Sequence, residues 1–267
     1  MIDFFTYSFL QEALLIAIII SISASLLSPF LVLNQQGMIA HGLSHVSFTG
    51  LVIGLLFFDQ PLWLAIPFVM ISSILIQYMQ TTIKIQGDVS IGIVTSFTFA
   101  LGLILVKTNS SFNVSIESLL VGNIFTLRSG DLILASLILL LIGLFVKYFY
   151  KQLFLMTYDE NYATFLKINV SLIRYFLAIL TSLFIVIGVR SIGVLLITSF
   201  IIFPSAIASR MSHSFKSTFF IGIAVAFISS VLGIVVAHPL NVPASAMIVM
   251  IYTLLFLGSS LYSKMKG

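Results

Sequence analysis

Long apolar stretches, separated by short polar connections, run along almost the whole chain. A helix of roughly 20 residues crosses the hydrocarbon core of a bilayer, so windows of about that length mark candidate membrane spans. Nine stretches qualify, at residues 7–33, 38–58, 61–80, 89–106, 131–150, 172–188, 193–209, 215–237 and 242–261. The pattern predicts an all-α, polytopic membrane protein with eight or nine transmembrane helices, organised as a single membrane domain over residues 1–267.

Two stretches depart from a simple membrane span. Residues 193–209 include Pro204, which predicts a kinked or broken helix. Residues 114–125 are amphipathic and short, and they predict a half-buried surface helix or a re-entrant helix.

The composition excludes a water-soluble globule and a disordered chain. Apolar residues make up 60% of the sequence and charged residues 7%, whereas about a quarter of the residues are charged in soluble proteins. The chain contains no cysteine, which excludes disulfide bonds and thiolate metal sites. Any metal is therefore bound by imidazole, carboxylate, hydroxyl, amide, thioether or backbone groups.

The distribution of basic residues predicts which side of the membrane each loop faces. With the N-terminus outside the cell, nine of the 12 Lys and Arg residues fall on the cytoplasmic side. The positive-inside rule favours that orientation. The net charge of +4 is accordingly interpreted as a property of cytoplasmic loops in contact with membrane lipid, and not as a nucleic-acid surface.

The strongest candidate site is the pair His41 and His45 in the second stretch. Residues four apart on a helix leave the same face, so both imidazoles point the same way. Imidazole is a common transition-metal ligand, and polar groups at bilayer depth usually line a pathway or pair with each other. The spacing indicates a cation pathway that binds metal; hydrogen bonds across a helix interface are the alternative. Gly42, Gly50 and Gly54 on the same stretch predict close helix packing.

A second candidate is the polar segment at 151–171, the longest insert on the cytoplasmic side. Residues 157–166 predict a short surface helix that Thr157 caps, with Asp159 and Glu160 in its first turn. The side chains that such a helix would offer to a partner are Tyr158, Tyr162, Ala163 and Leu166. The residues alone support a docking helix and a plain surface connector equally.

Several catalytic motifs are absent from the sequence. It has no Gly-x-x-x-x-Gly-Lys-Ser/Thr loop, which would hold the phosphates of ATP, and no His-Glu-x-x-His motif. We predict that the chain is not an enzyme and holds no permanent cofactor. If transport is driven by ATP, a separate chain hydrolyses the nucleotide.

A series of motifs resembles the zinc/manganese permease family of bacterial ABC importers. The run Ser28-Pro29-Phe30-Leu31-Val32-Leu33 leads into Ala40-His41-Gly42-Leu43-Ser44-His45-Val46-Ser47. The later motifs follow in order and are Asp88-Val89-Ser90-Ile91-Gly92-Ile93, Glu117-Ser118-Leu119-Leu120-Val121-Gly122-Asn123, Tyr158-Asp159-Glu160-Asn161-Tyr162-Ala163, Gly193-Val194-Leu195-Leu196, Phe203-Pro204-Ser205-Ala206 and Pro243-Ala244. The likeness covers nearly the whole chain.

The resemblance implies a permease with the type II ABC importer fold, acting as a homodimer in the bacterial cytoplasmic membrane. A pair of cytoplasmic ABC ATPase subunits would power it, and an extracytoplasmic metal-binding protein would deliver a divalent metal. The Asp-Glu-x-x-Ala segment resembles the family's coupling helix. The residues that this likeness assigns to the ATPase contact are Tyr158, Asp159, Glu160, Ala163 and Leu166.

One departure from the family concerns the metal. Family members commonly carry an acidic residue where His41 stands, whereas His45 keeps the family's histidine. Two imidazoles suit Zn²⁺ better than Mn²⁺, which prefers oxygen ligands, so we expect zinc to be favoured over manganese. A basic pair that is usual before this motif is replaced by Asn34-Gln35.

Two other functions fit the same residues. A secondary metal transporter or a channel would need no ATPase, and co-purification with an ATPase distinguishes it from an ABC importer. An intramembrane metalloenzyme that uses His41 and His45 fits less well, because no acidic general base lies near them in the sequence.

Overall fold

The computed structural model describes residues 8–58, 61–108, 129–240 and 242–266, and these residues form α-helices without any strand. The helices are α1 (Ser8–Val32), α2 (Met38–Phe57), α3 (Leu62–Thr81), α4 (Gly87–Thr108), α5 (Ser129–Tyr158), α6 (Glu160–Phe165), α7 (Val170–Ile192), α8 (Val194–Met211), α9 (Phe215–Leu240) and α10 (Ala244–Lys266). A helix pairs its backbone groups within one segment, which is what an apolar solvent requires. The predicted all-α class is confirmed.

Nine of the described helices are long and apolar enough to cross a membrane, and α6 is the short exception. These nine correspond one to one with the stretches that the hydropathy pattern marks. The amphipathic stretch at 114–125 lies outside the described residues.

The fifth membrane helix is longer than the predicted span. The sequence pattern ends that span at residue 150 and begins a polar segment at 151, whereas α5 continues without a break to Tyr158. Leu153 and Met156 are buried, and their packing keeps these last turns helical. A helix of 30 residues is about 45 Å long, so α5 extends beyond the hydrocarbon core.

Helix α8 runs from Val194 to Met211 with Pro204 inside it, so the predicted break does not occur. The hydroxyl of Ser28, on α1, lies against the helix at this point. It donates to the carbonyl of Ile201 and accepts from the N–H of Ser205 at 3.2 Å. In a regular helix, the carbonyl of Ile201 accepts a hydrogen bond from the N–H of Ser205. The hydroxyl of Ser28 therefore joins the backbone hydrogen bonds of α8 next to Pro204, which weakens them.

The core is built around α1, α2 and α7, which bury most of their surface. Helix α1 packs against α5, α8 and α9, while α2 packs between α3 and α4, and α7 contacts α3 and α5. The outer helices α4, α5 and α10 leave large apolar side chains exposed, such as Phe97, Leu140 and Leu254. Apolar side chains on the outside of a bundle suit a hydrocarbon solvent.

The charge distribution predicts that successive helices cross the membrane in alternating directions, and the contacts between helix ends agree with this. At the predicted cytoplasmic end, the amide of Asn34 donates to Thr157 at 3.3 Å, and that of Gln36 donates to Gln80 at 3.3 Å. At the predicted outer end, Arg190 of α7 forms an ion pair with Asp131 of α5 at 3.6 Å. The helix ends that the alternation assigns to one side therefore meet in the structure.

Candidate functional site

The two histidines of α2 lie together. The ring centroids of His41 and His45 are 4.7 Å apart, with one ring edge-on to the other at 86°. His45 also contacts the ring of Phe99, on α4, with centroids 4.9 Å apart. Its Nδ1 is buried and has no hydrogen-bond partner among the described residues. A buried polar nitrogen without a partner is costly, which is consistent with a nitrogen that accepts a ligand.

A pocket of about 280 Å³ opens beside this pair, between α2 and α4. The side chains and backbone that line it come from Met38, His41, Gly42, Asp88, Ile91, Gly92, Thr95 and Ser96. His41 is exposed and forms part of the wall. The pocket therefore combines an imidazole, a carboxylate, two hydroxyls and a thioether in an otherwise apolar wall.

Glycines on α2 set how closely its neighbours approach, as the sequence predicts. A Cβ placed on Gly42 would lie 2.4 Å from Cγ2 of Ile91 and 2.7 Å from Oγ1 of Thr95, both on α4. A Cβ on Gly54 would lie 2.3 Å from the carbonyl oxygen of Pro61, next to α3. Side chains are therefore excluded from both contacts, and α4 can bring its residues next to His41.

Two hydroxyls near the pair in sequence, those of Ser44 and Thr49, form hydrogen bonds elsewhere. Ser44 donates to the carbonyl of Ala40 at 2.6 Å, on its own helix. Thr49 donates to the carbonyl of Thr98 at 2.8 Å and ties α2 to α4. Within the described ranges, no three His, Asp or Glu side chains are grouped so that they could hold a metal ion. Two imidazoles alone would leave a metal's coordination shell incomplete, since Zn²⁺ usually takes four ligands.

The N-terminal cap of the short helix α6 is Asp159 and not the predicted Thr157. Thr157 lies within α5 and donates to the carbonyl of Leu153 at 2.7 Å, whereas Asp159 caps α6 by accepting from the N–H of Tyr162 at 2.9 Å. Glu160 forms an ion pair with Arg174, which fastens α6 to α7. The predicted surface helix is therefore present, but it begins after Asp159.

One face of α6 and its flanks is aromatic and exposed. Tyr158 is 65% exposed and Phe165 is 80% exposed, with Tyr162 and Leu166 beside them. Ala163 is fully buried, so it anchors the helix and offers no surface to a partner. The sequence interpretation missed Phe165 and Arg174. Phe165 follows Tyr158 by seven residues and Tyr162 by three, and this helical spacing could have identified it as part of the same face.

Among the described residues, nine helices are long and apolar enough to cross a membrane, which defines a polytopic membrane protein. The chain matches the ABC 3 transport family over residues 6–263, and it belongs to that family. It is accordingly the permease subunit of an ABC metal importer, a multi-pass protein of the bacterial cytoplasmic membrane. Membership favours this class over a secondary transporter, a channel or a metalloenzyme.

Similar proteins share almost the full length of the chain. It is 32% identical to the manganese import system permease protein ScaB of Streptococcus gordonii over 95% of this chain and 91% of that protein. It is 26% identical to the manganese transport system membrane protein MntC of Listeria monocytogenes, covering 98% and 93% respectively. The structure of PsaBC from Streptococcus pneumoniae in complex with Fab matches with a TM-score of 0.86 and 30% identity, covering 100% of this chain and 98% of that one. The expected preference for zinc gains no support from these names.

Proposed function

We propose that this permease carries a divalent transition metal along a route that includes His41 and His45. The observation that carries the proposal is the meeting of the two rings on one face of α2, where His41 opens onto a pocket. Neutral imidazoles donate a nitrogen lone pair to a metal, whereas imidazolium cannot. Uptake is therefore expected to weaken in acid, because a protonated imidazole no longer binds the metal.

Manganese is the first candidate for the transported metal. The relatives that are 32% and 26% identical to the chain are named as manganese transport proteins. Zinc is the second candidate, and one observation favours it: the chain presents two imidazoles side by side, and zinc accepts imidazole ligands more readily than manganese does.

The rest of the coordination shell is proposed to come from outside the pair. Two copies of the chain would form the pore, so that imidazoles or oxygen donors of the second copy complete the shell. An extracytoplasmic metal-binding protein would deliver the ion to the outer side. The ion is cargo, and it leaves the site when the pore opens to the cytoplasm.

Cytoplasmic ABC ATPase subunits are proposed to dock on α6 and to hydrolyse the ATP. The exposed face of Tyr158, Tyr162, Phe165 and Leu166 supplies apolar contact area for such a partner. Asp159 connects α6 to α5, and the ion pair of Glu160 with Arg174 connects it to α7. Movement of α6 is therefore passed to two membrane helices, which can change the side to which the metal site opens.

Histidine variants test the metal route in bacterial cells that lack the native permease and retain the rest of the importer. We expect His41→Ala/His45→Ala to abolish uptake and each single change to lower it, with cellular Mn, Zn and Fe measured by mass spectrometry. His238→Ala, in the exposed last turn of α9, is the matched control and keeps uptake. Wild-type uptake by the double variant contradicts the proposal. The metal that falls without the permease and returns with it identifies the cargo.

A further inference from the structure

We propose that Asp88 is a separate station for the metal, at the cytoplasmic end of the pocket that His41 lines. The inference rests on the proposed function of the histidine pair and adds a residue to its route. Asp88 is the first-turn carboxylate of α4, and it forms part of the same pocket wall as His41.

The register between α2 and α4 sets the order of these groups along the membrane normal. The two helices contact each other through Gly42 with Thr95, and through Thr49 with Gly102. From the first contact to the second, the residue numbers increase by seven on both helices, so the helices are parallel. Asp88 therefore lies nearest the end of α2 that carries Met38. Carried back along α4, the same register places Asp88 about 9 Å before His41, and His45, beside Phe99, lies one turn beyond His41.

The pocket offers a further ligand at the level of His41. The Oγ1 atom of Thr95 is buried and finds no hydrogen-bond partner among the described residues, and it forms part of the wall. Asp88 makes no ion pair within the part of the chain that the structure describes, so its carboxylate is not already neutralised by a Lys or Arg side chain there. The pocket wall thus offers a carboxylate at its cytoplasmic end and a hydroxyl and an imidazole further in, and these oxygen and nitrogen donors suit a divalent transition metal.

The charge on Asp88 has a second consequence that any test must separate from metal binding. A carboxylate in the first turn stabilises a helix through its macrodipole, so replacing Asp88 can weaken α4. Weakening of α4 lowers the amount of working permease and reduces uptake of every metal in the same proportion. Loss of an oxygen ligand instead changes the ratio between metals.

The first experiment measures uptake of Mn²⁺ and Zn²⁺ by cells with the complete importer, normalised to permease protein in the membrane. Asp88→Asn is expected to lower Mn²⁺ uptake about tenfold and Zn²⁺ uptake less, because an oxygen ligand matters more to manganese. Asp88→Glu restores uptake, since it returns a carboxylate. Gln86→Ala, at an exposed position before α4 that does not line the pocket, leaves both metals unchanged.

A second experiment uses the absence of cysteine from the chain. Asp88→Cys provides a single thiol, and Zn²⁺ is expected to protect it from maleimide in the assembled importer. Gln86→Cys provides a thiol at the same helix end and is labelled equally with and without Zn²⁺.

The outcomes separate this inference from the proposed function. Wild-type uptake and an unchanged Mn²⁺ to Zn²⁺ ratio in Asp88→Asn, or equal labelling of Asp88→Cys with and without Zn²⁺, overturns the station at Asp88. The histidine route stands in that case if His41→Ala/His45→Ala still abolishes uptake. Full uptake by the histidine variant instead overturns the proposed function.

Discussion

At the scale of single residues, Ser28 shows how a helix containing proline stays continuous inside a membrane. Proline removes one backbone donor from α8, and lipid provides no water to replace it. The hydroxyl of Ser28 both donates to Ile201 and accepts from Ser205, so a side chain of α1 satisfies backbone groups of α8. This contact fixes α1 and α8 relative to each other at the level of Pro204.

We expect Ser28→Ala to lower the stability of the permease by about 1–3 kcal/mol, because the carbonyl of Ile201 and the N–H of Ser205 lose the buried hydroxyl that links them to α1. The measurement is the melting temperature in detergent. Ser21→Ala is the matched control, since the buried hydroxyl of Ser21 donates to the carbonyl of Ile18 on its own helix and makes no bond to another described helix. Equal melting temperatures for the two variants would contradict the bridging role of Ser28.

The residue-scale features differ in how far the sequence reveals them. His41 and His45 are four apart, and helical periodicity alone predicts that they share a face. Asp88 and Thr95 lie on another helix, and only the packing of α4 against Gly42 brings them to the same pocket. The sequence motif at 88–93 is visible, but its position next to His41 depends on tertiary contacts.

At the scale of helices, the position of α2 depends on residues without side chains. Gly54 meets the backbone of Pro61, and Gly102 of α4 meets Thr49, so α2 is held closely on two sides. Close backbone approach is a common basis of helix association in lipid, where burial of apolar surface gives little driving force.

Gly54→Ala is expected to destabilise the permease by about 1–3 kcal/mol, because the added methyl group overlaps the backbone of Pro61 and the helices must move apart. Gly143→Ala is the control. A Cβ there meets no described atom within 4 Å, and alanine favours the helix over glycine. Thermal unfolding of both variants in detergent checks the prediction, and unchanged stability of Gly54→Ala would show that the contact is not close.

The short helix α6 carries the proposed contact with the ATPase. We expect Phe165→Ala to reduce co-purification of the ATPase subunits about tenfold or more, because it removes the most exposed aromatic side chain of that surface. The folded permease itself is unaffected, since Phe165 is 80% exposed. Phe220→Ala, which changes an equally exposed phenylalanine on α9, keeps the ATPase bound. Equal loss in both variants would argue against docking on α6.

Sequence patterns located most of the helices but not their ends. Hydropathy marks each of the nine described candidate spans because lipid requires a long apolar segment. Hydropathy does not reveal the extension of α5 to Tyr158, because the buried side chains of Leu153 and Met156 hold these turns by packing outside the hydrocarbon core. The capping role of Asp159 instead of Thr157 follows from that extension.

At the scale of the whole molecule, the orientation and the site fit one route for a metal. The charge distribution predicts that the N-terminal ends of α2 and α4 face the cytoplasm, so the pocket would lie near the exit of the proposed import pathway. The helix α6 is at the same side, where cytoplasmic ATPase subunits would meet it. The proposed energy input and the proposed exit of the metal are therefore at the same end of the bundle.

The most direct test of the histidine route is ATP-driven transport of Mn²⁺ and Zn²⁺ in proteoliposomes that contain the complete importer. With His41→Ala/His45→Ala, we predict that metal transport is lost while the ATPase subunits remain bound and hydrolyse ATP. His238→Ala is predicted to transport at the wild-type rate. ATP-driven transport at the wild-type rate by the double variant would contradict the account.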